Sequence, residues 1–192
     1  MADTATAPEI TLGEAFSAEV GSGHHATNTG YSNEKLGMWV FLGSECLLFG
    51  GLISTYLLYQ DRAVSGPLPK DLYDIPFTSV SSFVLLMSSL TMVLAVGNQM
   101  RGDLRKARTW LVSTALLGLT FIAGQVYEFT SFYREGLGYT TSRFSSAFYT
   151  LTGFHGVHVT LGIVMLLSCV ALTFRARKPT PEAIEIVGLY WH

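Results

Sequence analysis

Four long apolar runs, separated by short polar stretches, dominate the pattern along this chain. The first, Leu36 to Tyr59, is broken by a single charge, Glu45, and the second runs from Ser79 to Gln99 without any. The third, Thr109 to Tyr127, is also free of charge and stops at Glu128; the fourth, Ala147 to Phe174, carries His155 and His158. Each is long enough to cross a hydrocarbon core of ~30 Å as an α-helix rising about 1.5 Å per residue. A bilayer core accepts only backbones that satisfy their own hydrogen bonds, and short alternating strands for a barrel are absent, so the runs predict helices.

The stretches between them read as loops. Gln60 to Phe77 holds Pro67, Pro69 and Pro76; Met100 to Arg108 is short and basic; Glu128 to Ser146 contains Gly136 and Gly138. After the fourth run come Arg175, Arg177 and Lys178, then Pro179 and Pro181. From about Ala183 the chain turns apolar again and reaches His192, which predicts the opening turns of a fifth helix whose body lies beyond these residues. Residues 1–33 carry Asp3, Glu9, Glu14 and Glu19 but no Lys or Arg, and lack the ordered features of a secretory signal. They are expected to form a mobile tail, with 34–192 as the transmembrane bundle and His24-His25 solvated. The predicted fold class is all-α, a polytopic bundle of four complete spans and the start of a fifth.

Composition supports this reading. Hydrophobic residues make up 49% of the chain and charged residues only 14%, too few to clothe a soluble surface. A net charge of −2 offers no basic excess for nucleic acid. Cys46 and Cys169 both lie inside apolar runs and offer no disulfide framework. Lys35, Arg101, Arg105, Lys106, Arg108, Arg175, Arg177 and Lys178 fall on one side, and Arg62, Lys70, Arg134 and Arg143 on the other. Eight against four predicts a cytoplasmic N-terminus.

Within the spans, Glu45 asks for a reason. It lies about nine residues into its helix, roughly 13 Å along the axis, and its stem is too short to reach an interface. It is either a neutral carboxyl bonded between helices or a proton-exchanging group. His155 and His158, three apart, share a helical face and are expected to join Glu45 in one polar cluster. A metal site is not expected, because zinc or iron wants three or four ligands. Bis-histidine haem needs the two rings on opposite sides of the porphyrin, which such a spacing does not provide. Gly37, Ser44 and Gly51, with Gly50 and Ser54, form a small-residue seam in the first span; Gly153, Gly156 and Gly162 do so in the fourth. Such seams permit close helix approach and are read as packing. Trp39, Tyr56, Tyr59, Trp110, Tyr127, Tyr133 and Tyr149 fit interfacial belts, and the basic residues beside them suit lipid phosphates. No phosphate-cradling glycine loop, CxxC, catalytic triad or HExxH is present. The physics yields a membrane bundle with one buried acid and two histidines, and no reaction.

The wording of four segments adds a family. Leu36-Gly-Met-Trp-Val-Phe-Leu-Gly-Ser-Glu-Cys-Leu-Leu-Phe-Gly-Gly51 resembles the signature helix of subunit III of the haem–copper oxidases. Tyr149-Thr-Leu-Thr-Gly-Phe-His-Gly-Val-His-Val-Thr-Leu-Gly162 is similar to that family's Thr-Gly-Phe-His-Gly-x-His-Val segment. Gln125-Val-Tyr-Glu-Phe129 resembles its Gln-x-x-Glu-aromatic step, and Gly188-Leu-Tyr-Trp-His192 the opening of its final helix. The matches keep the family's order and correspond to its short, five-helix bacterial form.

The resemblance implies a noncatalytic subunit in the bacterial inner membrane, with no redox centre or other cofactor of its own. Haem and copper belong to subunits I and II, its expected partners, and phospholipid is its expected ligand. It implies support for proton uptake and for active-site durability in a proton-pumping oxidase. Glu45 matches the family's buried, carbodiimide-reactive carboxyl, with His158, and His155 less closely, beside it; a Glu45–His158 hydrogen bond is the expected geometry. Glu128 matches the acid ending the third helix. Together with Trp39, Arg101, Arg105, Trp191 and His192 it is expected at lipid or helix-end contacts. Cytochrome c is the favoured electron donor over quinol. Two readings of other classes stand beside this one: a small proton-coupled transporter using Glu45, which lacks the inverted repeats and interrupted helices of that class, and a membrane metalloenzyme on Glu45, His155 and His158.

Overall fold

The computed structural model describes residues 32–60, 74–175 and 179–192. Among these residues are five α-helices and no strand: α1 (Asn33–Tyr59), α2 (Ile75–Met100), α3 (Leu104–Arg134), α4 (Arg143–Thr173) and α5 (Pro181–Trp191). The first four are long and apolar enough to cross a membrane. The expected tail lies almost wholly outside the described residues, as do most of the first loop and Arg177 and Lys178.

Every helix is longer than its apolar run, and polar caps explain the difference. Ser32, Asp74, Asp103, Ser142 and Thr180 each accept a backbone N–H from the first turn that follows. Pro76 and Pro181 sit at the opening positions of α2 and α5, where no amide is needed. The largest correction concerns the third loop. It was expected over Glu128 to Ser146, yet α3 continues to Arg134 and α4 begins at Arg143. The helix overruns because Phe132, past the charge, packs into an aromatic cluster with Phe144 and Phe148.

Two glycines set the turns. Gly102 (φ +79°) and Gly136 (φ +90°) occupy the left-handed position that ends α2 and α3. After α3, the Gly136 N–H donates to the Tyr133 carbonyl and the Leu137 N–H to that of Phe132; after α2, Gly102 donates to Gln99 and Asp103 to Asn98. In the first case the crossed pair is sealed by Phe132 and Leu137, both buried. At the other turn Asp103 caps α3, and hydrogen bonds from the Lys106 amide and ammonium hold its carboxyl below the usual carboxylate range.

α2 and α3 pack as a tight hairpin, α4 lies against α3, and α5 lies against α2 and α4. Met92, Ala95, Leu111, Ala115, Ile163, Leu166 and Ile184 fill the shared core. Inside it, the Thr91 and Thr114 hydroxyls meet at 2.8 Å. α1 stands apart: it touches α4 and α5 and contains no buried residue.

Candidate functional site

The site begins with which side of α1 turns inward. Met38, Leu42, Glu45, Phe49, Leu52 and Tyr56 are among its half-covered positions, spaced alternately four and three apart. That spacing draws one stripe along a helix, and Glu45 is its only acid. The opposite face, through Val40, Gly43, Leu47, Gly50 and Ser54, is exposed. The small-residue seam expected to pack α1 therefore packs against none of the described residues, since a Cβ on Gly37, Gly43, Gly50 or Gly51 meets no atom of theirs within 4 Å. Large side chains, not glycines, hold α1 to its neighbours.

Glu45 faces His158 of α4, with Oε2 at 3.0 Å from Nε2. The contact is close but poorly directed. The ring nitrogen does not point along the line to the carboxyl, and Oε2 accepts no aligned hydrogen bond. The other ring nitrogen is committed: Nδ1 lies 2.8 Å from the Phe154 carbonyl, one turn back on α4. A carbonyl only accepts, so Nδ1 carries a proton. Nε2 is the ring atom left to face the Glu45 carboxyl.

Aromatic rings fix this imidazole. Phe49 of α1 lies edge-on to it with centroids 5.2 Å apart, and Tyr190 of α5 stacks at 6.4 Å and 17°. Tyr190 donates its hydroxyl to the His158 carbonyl at 3.1 Å and stacks on Phe41 at 6.0 Å. Three helices thus converge on one carboxyl–imidazole pair. The Glu45 and His158 side chains keep 21% and 23% of their accessible surface, so the pair is not sealed from its surroundings.

His155 is not part of this group. The 60° between it and His158 is enough to turn its ring away, edge-on to Phe121 of α3 at 5.7 Å. The expected trio is a pair. Among the described residues no three His, Cys, Asp or Glu side chains converge to hold a metal.

The remaining expected positions divide. Trp39 is 54% exposed on the outward side of α1, and Arg101 and Arg105 are exposed at the α2–α3 turn. His192 turns its ring back onto the Gly188 carbonyl. Glu128 does not end a helix: it accepts a hydrogen bond from Thr78 of α2 at 2.9 Å, six residues before α3 stops. Trp191, also expected at a lipid or helix-end contact, is the last residue of α5, and its side chain reaches in among α2, α3 and α4. Its indole N–H donates to Ser88 of α2, while its ring fills a slot between Gly118 of α3 and Gly162 of α4. A Cβ on those glycines would stand 2.6 and 2.8 Å from the ring. Gly156 plays a similar part for Gln125, whose amide crosses to the Thr152 carbonyl at 2.7 Å. Tyr190, Phe49 and Phe41 were missed as site residues; the inward stripe of α1 was the signal for Phe49.

A four-span membrane bundle with a carboxyl–imidazole pair held between its first, fourth and fifth helices is the class of protein these features define. The chain belongs to the family of cytochrome c oxidase subunit III, whose model matches residues 10–192. Among named relatives, cytochrome c oxidase subunit 3 of Bacillus sp. (strain PS3) is 38% identical over 162 residues, covering 83% of this chain and 78% of that one. Quinol oxidase subunit 3 of Bacillus subtilis (strain 168) is also 38% identical, over 82% of this chain and 78% of that one. Cytochrome bo(3) ubiquinol oxidase subunit 3 of Pseudomonas aeruginosa is 34% identical over 91% and 84%. The chain is a subunit III of the haem–copper oxidases and a multi-pass membrane protein.

Proposed function

We propose that this chain is a noncatalytic subunit of a proton-pumping terminal oxidase of the bacterial inner membrane, with its N-terminus in the cytoplasm. It packs on subunit I, binds phospholipid and supports proton uptake, while subunits I and II hold the haem and copper. The observation that carries the proton role is the Glu45–His158 contact, with Nδ1 bound to the Phe154 carbonyl. An imidazole whose far nitrogen is occupied passes or keeps a proton only through Nε2, the atom facing Glu45. A partly open carboxyl–imidazole pair of this kind offers a place to take up or release a proton at the flank of a proton-consuming enzyme.

The test is a Glu45→Gln substitution in the intact oxidase. Gln keeps the shape and a hydrogen-bonding group but takes up no proton. Assembly and haem content should stay at wild-type levels, while proton uptake slows or the enzyme inactivates after fewer turnovers. Wild-type turnover, pumping and lifetime in this variant would make Glu45 structural only.

Quinol as electron donor is a second reading, favoured by the similarity to the two quinol oxidase subunits. A dinuclear copper signal in the purified complex decides for cytochrome c; its absence, with o-type haem, decides for quinol.

A further inference from the structure

One end of the bundle divides its charge sharply. The Gln99 amide of α2 donates to the Pro179 carbonyl ahead of α5 at 3.2 Å, while Ser32 and Lys35 at the start of α1 meet Glu182 and Glu185 of α5. The Arg108 guanidinium of α3 lies 4.3 Å from the centre of the Phe174 ring, just past α4. The start of α1, the α2–α3 turn and the end of α4 therefore share that end. Glu34, Glu182 and Glu185 mark its α1–α5 side. Arg101, Arg105, Lys106, Arg108 and Arg175 mark the other, where Asp103 is the one described acid and pairs with Lys106. Arg101, Arg105 and Arg175 are exposed and make no ion pair with a described residue. Met100 and Phe174 stand exposed among these cations.

We propose that this basic side is the docking surface for the chain's own N-terminal segment, residues 1–31, whose carboxylates settle on the arginines. Three features support it. The segment is charged in one sense only: it carries Asp3, Glu9, Glu14 and Glu19 and neither Lys nor Arg. It joins the bundle at Ser32, at the same end as the cations, and from Glu19 to Ser32 a chain can span at most roughly 45 Å. Helices are about 10–12 Å across, so that reach exceeds the width of two or three of them. The alternatives repel it: an anionic membrane surface and the acids of α1 and α5 carry the segment's own sign, and only the arginine side is complementary. Ile10, Leu12 and Phe16 interleave with the acids, which suits a surface where Met100 and Phe174 lie among guanidiniums. Tethering raises the segment's local concentration to the millimolar range, so weak exposed ion pairs are enough to hold it. Nothing in the docking depends on the oxidase role.

Chymotrypsin cleavage after Phe16 in the intact, purified complex in neutral detergent, read by mass spectrometry, tests this. Against a free peptide of residues 1–31, the wild type should be cut about tenfold more slowly at ~0.1 M salt and at the peptide's rate at ~1 M. Arg101→Gln, Arg105→Gln and Arg175→Gln together should remove the protection, and Lys at the same three positions should keep most of it. Glu9→Gln, Glu14→Gln and Glu19→Gln together, which leave the bundle untouched, should also remove it. Wild type cut at the peptide's rate in ~0.1 M salt overturns the docking. Protection that survives both sets of Gln substitutions puts the segment elsewhere and overturns the surface. If the arginine variant loses a polypeptide from the complex, this end is a partner interface; if added phosphatidylglycerol exposes Phe16 in the wild type, it belongs to lipid headgroups. Either result makes the proposal wrong.

Discussion

α1 and the four helices behind it are held by different physics. In α2 to α5, small residues let side chains interlock: Trp191 occupies the space left by Gly118 and Gly162, and Gly156 lets Gln125 reach Thr152. α1 buries nothing. It is attached at points, by Lys35–Glu185 at 2.7 Å, Ser32 to Glu182, Glu45–His158, and the Phe41–Tyr190 and Tyr56–Phe144 ring contacts. Lipid tails are as apolar as leucine, so bilayer helices gain little from hydrophobic burial and depend on close packing or polar contacts. The core uses the first means, and α1 a few polar contacts together with large, half-covered side chains. The carboxyl of the candidate pair therefore sits on the more loosely attached helix, and its imidazole on the core.

The contrast is broken most strongly at the Trp191 slot. Gly162→Ala or Gly118→Ala puts a methyl against a rigid indole ring, and overpacking of this kind costs about 1–3 kcal/mol. Thermal unfolding in detergent should show the loss, whereas Gly43→Ala and Gly50→Ala on α1 should stay within about 0.5 kcal/mol. Equal effects at the two sets of glycines would mean that α1 is packed like the rest.

The point attachments are tested next. His158→Ala leaves Glu45 without its imidazole and removes the ring between Phe49 and Tyr190, at a cost of about 1–3 kcal/mol. Backbone amide exchange along α1 should quicken in that variant and change less in His155→Ala. A stronger response to His155 would show that Phe121, and not Glu45, is the contact that matters.

The smallest effect belongs to the α2–α3 turn. Asp103 has a depressed carboxyl, so its stabilising contribution is present above the ordinary carboxylate range, about 4, and is lost as pH falls through its lower folded value. Asp103→Asn should flatten that acid limb of the unfolding profile and leave neutral-pH stability of α1 contacts unaltered. A limb of unchanged slope assigns the acid sensitivity to other carboxyls.

Much of the helical frame was legible because bilayer spans are written as uninterrupted apolar runs. Their ends were less so: the Ser142 capping box and the Gly136 turn sit in polar stretches that look like loop until the cap geometry is seen. Glu45 and His158 could be paired by family wording, though spacing alone placed His155 beside them. Trp191 had no readable signal. A tryptophan near a span end suits an interfacial belt as well as a slot, and only the two facing glycines distinguish these.

The sequence by itself determined four membrane spans, a further apolar helical segment after them, one intramembrane acid and membership of the subunit III family. Only the tertiary structure decided which side of α1 turns inward, that Glu45 meets His158 through Nε2, and that Arg108 lies over Phe174. The reason lies in the solvent. When the surroundings are as apolar as the core, polarity no longer marks the buried side of a helix, and side-chain shape chooses it.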